Sequence, residues 1–333
     1  MENRKYNTKS TVEAGLISGI IIVLMLITGY VPVISFMGTL LLPIPVALLY
    51  IRHSIKVTLT AVAASFIITA VIFNPISALL SAISFAAVGI TMGYCIKKDK
   101  SSNTIIALLT AVSLAVSIVT IILSIMLIQK TTIVQFFTKT INDLNETIKE
   151  SVEMAKSFYA SAGMSKEQLA QIDTVFGSLN ADFIVNAFGA IMIMQAFFSA
   201  LMNYIVAKAI LKRLGYNVKR IVPFTEIYMP NVTGMLFILP TIVGMLIQRK
   251  NPAIGKPVLV SGQYLMSYAF MLIGLSVVTY FLKNRFNLRK GVMVLIILFT
   301  IFNPLFMNIY IFIGLADMLF DFRKINPHRI PIR

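Results

Sequence analysis

The sequence predicts an all-α polytopic membrane protein with about 8–10 transmembrane segments. Three observations predict it. Apolar residues come in long runs of 17 to 30, and about 18 with few charges are enough to cross a bilayer as a helix. Charged residues make up only 13% of the 333, and 58% are hydrophobic, whereas soluble domains carry about 25% charge. Basic residues alternate between dense and sparse from one gap between runs to the next, as the positive-inside rule requires. The net charge of +16 therefore reads as membrane orientation rather than nucleic-acid binding. No short alternating segments suggest a β-barrel.

The runs lie at roughly 14–30, 33–50, 55–73, 76–96, 104–128, 183–211, 231–247, 257–282 and 291–320. The first follows Arg4, Lys5 and Lys9 like a signal peptide. No small-residue cleavage site follows, so it reads as a retained span. It carries the pairs Ala14/Ser18 and Gly15/Gly19, and Gly89/Gly93 repeats the spacing. Small residues four apart let another helix approach closely, either in the same chain or in another subunit. The second run contains Leu42-Pro43-Ile44-Pro45. These prolines are either a kink that lines a substrate path or a cheap first helical turn. The single cysteine, Cys95, permits no internal disulfide and reads as a small apolar residue.

With the N-terminus in the cytoplasm, the cytoplasmic side holds 17 basic residues before the tail and the far side 8. The tail adds Arg323, Lys324, Arg329 and Arg333. For these to be cytoplasmic too, run 291–320 must turn back on itself. Asn303-Pro304 supplies a break, leaving halves of 12 to 17 residues, short for full spans. A broken or re-entrant pair is the first expectation, and one long tilted helix with an external tail the other.

Three blocks follow: 1–128, N-terminal transmembrane helices; 129–182, an extracytoplasmic amphipathic helical hairpin; and 183–333, C-terminal transmembrane helices with a cytoplasmic tail. The middle block holds seven acids against five lysines. Phe137, Ile141, Leu144, Ile148, Val152, Ala155 and Tyr159 share one helix face. Gly163 ends that helix, and Ser165 to Gln168 fit a capping box for a second. The hairpin suits a lid, a docking site or a surface lying on the bilayer.

Polar side chains inside the runs are few. Asn74, Gln195 and Asn203 are the candidate substrate-binding residues, since polar groups at membrane depth face the bundle interior. They would suit a neutral or weakly polar small molecule, or would merely staple helices. No catalytic or metal-binding signature occurs, and no phosphate-binding loop. The chain is expected to be no enzyme, to need no cofactor and to be unable to power transport by hydrolysing ATP itself. Between the sixth and seventh runs, Pro223-Phe224-Thr-Glu226-Ile-Tyr228-Met-Pro230 is an interfacial turn or a coupling element for a cytoplasmic partner. The candidate partner-interface residues are Ala14, Ser18 and Glu226. Near the end, Asp317, Asp321 and Lys324 are spaced i, i+4, i+7. They are expected to form a structural ion-pair face. Asp317 would turn inward to a basic group from another helix end, and Arg323 would point elsewhere.

Several of these motifs together resemble the YybS-like predicted membrane proteins of Firmicutes, an uncharacterised family. They are LPIP-x-x-LL-x-x-R, the proline-bracketed Pro223–Pro230 stretch, Gly274-Leu-Ser-Val-Val-Thr-Tyr-Phe, and Gly314-Leu-Ala-Asp317-x-x-Phe320-Asp321-Phe322-Arg323-Lys324. The resemblance implies a multi-pass protein of a bacterial plasma membrane. The family is distantly similar to the substrate-binding S components of energy-coupling-factor transporters. That implies an S-component-like bundle over about the first 210 residues and docking through the first helix, where Ala14-x-x-x-Ser18 fits loosely. It further implies a coupling subunit with cytoplasmic ATPases as partner. The chain is thus expected to be a small-molecule-binding or permease subunit energised by a partner. The alternative is a structural or regulatory membrane protein that recruits partners through 129–182 and the cytoplasmic loops.

Overall fold

A computed structural model describes residues 8–165, 169, 181–301 and 303–325. The described residues form helices joined by short irregular segments, without strands. Eight stretches are long and apolar enough to cross a membrane, and one further helix pair passes only as a bent unit. The chain divides into two compact units, Met1–Thr140 with Met192–Ile221, and Ile141–Ile191 with Val222–Arg333. These limits differ from the three blocks drawn on the sequence. Two of the three boundaries fall inside continuous helices, α7 (Ile133–Ser161) and α8 (Ala181–Arg213), and the third lies between Ile221 and Val222.

The first unit contains α1 (Thr8–Tyr30), α2 (Pro32–Leu41), α3 (Pro43–Arg52), α4 (Ile55–Ile72), α5 (Pro75–Lys97) and α6 (Ser102–Ser124). A π-helical turn, Ile125–Gln129, follows α6. Starts are fixed by capping. Ser54 accepts from the Val57 N–H, Ser101 from Thr104, and Asn74 from both Ile76 and Ser77. Each satisfies backbone donors that a helix start leaves unpaired. Pro43 breaks one apolar stretch into α2 and α3, sitting at the first turn of α3 where its missing N–H costs nothing.

Close helix contacts explain the small residues. A Cβ at Gly89 would meet the Pro43 carbonyl, and one at Gly93 the Ala47 carbonyl, so α5 lies against the α3 backbone. Ser18 Oγ donates to the Ala61 carbonyl at 3.2 Å, and Ser65 Oγ returns a bond to the Ser18 carbonyl at 3.3 Å. Ala14 packs on the same core as Ile17 and Ile21. Ser18 thus bonds to α4 of its own chain, and Ala14 packs half-buried against the same core. The open face of α1 carries Gly15 and Gly19 instead, with nothing within 4 Å of a Cβ built there. A second core joins Met92, Cys95, Leu109, Tyr204 and Leu211.

In the second unit, α9 (Asn231–Lys250) and α10 (Pro252–Asn284) form an antiparallel pair separated by Asn251, whose side chain caps α10. Gly244, Gly255 and Gly262 each face backbone of the opposite helix. α11 (Lys290–Ile301) and α12 (Pro304–Phe320) follow, bent by 110°. α11 is only about 18 Å long at 1.5 Å per residue, too short for a ~30 Å hydrocarbon core. The break falls at Asn303-Pro304, and the single long helix does not form. α12 crosses α10 at Gly274 and Gly314, where a Cβ on either would land on the other helix's carbonyls. Beyond this crossing the C-terminal ends of both helices stay together. Arg323 Nη1 reaches Ser276 Oγ at 2.7 Å, and Phe322 shares a groove with Phe281. The pair therefore leaves the end of α10 and returns to it, which puts residues 322 and 323 beside the C-terminal half of α10.

α7 presents Ile141, Leu144, Ile148 and Val152 as a half-buried stripe with no fully buried residue. The second arm expected at 165–179 lies outside the described residues, apart from Ser165 and Leu169.

Candidate functional site

Three helices of the first unit bring polar stripes to one cavity. On α5 the residues are Ser77, Ser81 and Ser84; on α6 they are Ser113, Ser117 and Thr120; on α8 they are Gln195, Ser199 and Asn203. Each set is spaced by three or four, so each lies on one helix face. Thr39, Leu42 and Pro43 close one side at the α2/α3 break, and Phe85 and Val88 add apolar wall. The volume is about 450 Å³, within the usual range for small-molecule sites. Its lining holds eight hydroxyls and two amides and no charged group.

Two atoms here are buried without a protein partner, Ser113 Oγ and Asn203 Oδ1. Asn203 is 3% exposed. Its Nδ2 donates to the Ser199 carbonyl at 2.9 Å, which fixes the amide orientation because a carbonyl only accepts. Oδ1 is thus an acceptor awaiting a donor. A buried polar group left unpaired costs about 1–3 kcal/mol.

Of the three candidate substrate-binding residues, Gln195 and Asn203 line this cavity and Asn74 does not. Asn74 is exposed and caps α5 through Oδ1, bonded at 3.0 Å to both Ile76 N and Ser77 N. It precedes Pro75, and an Asn before a proline at a helix start is placed for capping. The hydroxyl stripes were not among the candidates. Their signal is the repeated i, i+4, i+7 spacing of Ser and Thr in α5 and α6.

At one end of the same unit, the Glu13 carboxylate takes Arg52 and the His53 Nε2, the latter at 2.8 Å. Arg52 Nε donates to the Tyr216 hydroxyl at 2.6 Å. Lys97 Nζ donates to the carbonyls of His53 and Tyr50. This network ties α1, α3 and α5 to the segment after α8. Its sequence signal is that Glu13 is the sole acid between Glu2 and Asp99.

In the second unit Asp317 turns inward, 4% exposed, but its partner is Arg323, not Lys324. The helical spacing does not carry that far. α12 ends at Phe320, and Asp321 takes a left-handed φ of 48°. The chain then folds back, and Arg323 enters the interior. All five of its N–H groups are used: two on Asp317 Oδ2 (3.2 and 2.8 Å) and the others on Thr225 O (2.9 Å), Ile227 O (2.7 Å) and Ser276 Oγ (2.7 Å). Asp321 Oδ1 instead accepts from the Ile325 N–H, and Lys324 gives its backbone N–H to Asp321 O. Glu226 lies exposed in the 3-10 turn Phe224–Glu226 that Arg323 holds from behind. No cluster of metal-ligating side chains occurs among the described residues.

Comparison with known proteins agrees with the YybS-like resemblance of the motifs. The chain is 24% identical over 321 residues to the uncharacterized protein YybS of Bacillus subtilis (strain 168), covering 95% of this chain and 98% of that protein. No solved structure matches. Residues 19–318 match the family described as predicted membrane protein (DUF2232). Since that match takes in every cavity-lining residue and Asp317, running from α1 to α12, the chain belongs to the DUF2232 family of predicted membrane proteins.

Proposed function

We propose that the chain is the binding or permease subunit for a small, neutral, polar molecule, energised by a partner protein. The observation that carries this reading is the 450 Å³ cavity with its two unpartnered buried atoms. A charged ligand would find no counter-charge on the lining, and stripping an ion of water without one is costly. A neutral ligand with several hydroxyl or amide groups would exchange water for the ten polar side chains and give Asn203 Oδ1 its donor. No histidine, cysteine or acid lines the cavity, so the proposed role is binding rather than conversion. The resemblance to S components supports a partner protein as the energy source. The Pro223–Pro230 turn with exposed Glu226 is the proposed docking element.

The test is mass spectrometry of small molecules that accompany the detergent-purified protein. Wild type is expected to retain one. The variant Ser113→Val/Asn203→Leu should lose roughly 30-fold of that binding, at about 1 kcal/mol per hydrogen bond. Equal retention by both, or nothing retained by wild type, would overturn the reading.

The proposed orientation places the N-terminus, Lys97–Lys100 and the tail in the cytoplasm of a bacterial cell and α7 outside. In a Cys95→Ser background, Glu150→Cys should react with an impermeant thiol reagent on intact cells and Asp99→Cys should not. The opposite pattern would invert the topology.

A second reading, a non-transporting protein that recruits partners, is favoured by the amphipathic α7. On that reading Ile141→Ser/Leu144→Ser/Ile148→Ser abolishes function in cells while the cavity variant leaves it intact.

A further inference from the structure

The second unit carries an independent site, and we propose that it binds an anionic phospholipid of the surrounding bilayer. Past the Gly274/Gly314 crossing, the C-terminal halves of α10 and α12 line a groove between them. The wedge they leave is about 380 Å³ and has no polar lining. Val277, Phe281 and Leu282 line one wall, Ile313 and Ala316 the other, and Phe322 closes the end. The lining runs from Val277 to Phe286 on α10 and the segment after it, and from Ile313 to Phe322 on and after α12, an apolar strip of the kind an acyl chain covers.

What selects the headgroup is charge. The helix ends that bound the wedge carry Lys283, Arg285, Arg289, Lys290 and Lys324, all exposed. None takes part in an ion pair among the described residues. Arg285 stands beside Phe286, which also borders the wedge, and Lys324 two residues after Phe322. Arg323, by contrast, is turned inward and neutralised by Asp317, so it does not compete. The positive-inside rule accounts for basic residues on this face. It does not account for a purely apolar slot opening beneath them. Apolar wall below and basic side chains above match one acyl chain and one phosphate respectively.

Native mass spectrometry of the full chain, exchanged into detergent with acyl-matched phosphatidylglycerol or phosphatidylcholine, tests this. Wild type should retain one phosphatidylglycerol per chain in preference to phosphatidylcholine. A basic residue near the bilayer surface contributes about fivefold to such binding, so Arg285→Gln/Lys324→Gln should lose roughly 30-fold. Both side chains are exposed, so this variant keeps its fold. Ala316→Phe, which fills the wedge, should lose retention altogether. Equal retention of the two lipids would overturn the headgroup selection. A charge variant that binds like wild type, or a filled-wedge variant that still holds the lipid, would overturn the site.

Discussion

Arg323→Gln is expected to cost about 3–5 kcal/mol, among the largest single-residue effects in the protein. Glutamine cannot replace five donors. It leaves the buried Asp317 carboxylate without a counter-charge and strips the carbonyls of Thr225 and Ile227 of their partner. Arg323→Lys should recover little, because an ammonium offers three donors from one point rather than a planar fork. The double variant Asp317→Asn/Arg323→Gln should cost less than the sum of the two single changes, since removing both charges spares the uncompensated one. Thermal unfolding in detergent reads all four. Additive losses, or an Arg323→Gln protein that melts with wild type, would show that the pair does not hold the second unit together.

The second large effect is at the helix crossing. Gly274→Ala places a methyl on the Tyr310 carbonyl, and Gly314→Ala places one on that of Phe270. Backbone cannot step aside as a flexible side chain can, so α10 and α12 must separate. Overpacking of this kind costs about 1–3 kcal/mol or more. The control lies in α1, where Gly15→Ala and Gly19→Ala meet nothing. There alanine should stabilise slightly, by up to about 1 kcal/mol, as helix propensity predicts. If the Gly274 and Gly314 variants stay monodisperse and melt with the α1 variants, the close crossing is not what joins these helices.

Much of the fold was legible because a bilayer punishes unpaired backbone, which leaves long apolar helices as the readable solution. The break at Asn303-Pro304 was legible for the same reason. Asp317 was recognisable as a residue in need of a partner, but its partner was not. The spacing argument extended the helix of residues 304–320 through residue 324, whereas the left-handed Asp321 changes the direction of the chain. The cavity was half legible. Amides in apolar runs stand out, and Gln195 and Asn203 do meet there, whereas Asn74 caps a helix. Hydroxyls are quieter, because a Ser or Thr in a helix can bond back to the carbonyl four residues earlier. Ser84 does so to Leu80, and Thr120 to Val116. Such residues pass as neutral helix content until three helices turn them toward one space.

The clamp at Arg323 also sets a clock. Thr225 lies 98 residues before Arg323 in the chain. At about 5–20 residues per second of synthesis, the carbonyls of Thr225 and Ile227 wait roughly 5–20 seconds on the ribosome before their donor exists. The Pro223–Pro230 turn therefore spends that interval without its Arg323 bonds, held by local contacts and, once α10 has emerged, by Ser276 and the packing of Met229 on α10. Chaperones, insertion machinery or a waiting partner subunit have those seconds in which to reach it. The stretch proposed as a docking element is thus fastened by this clamp only once Arg323 itself has been made.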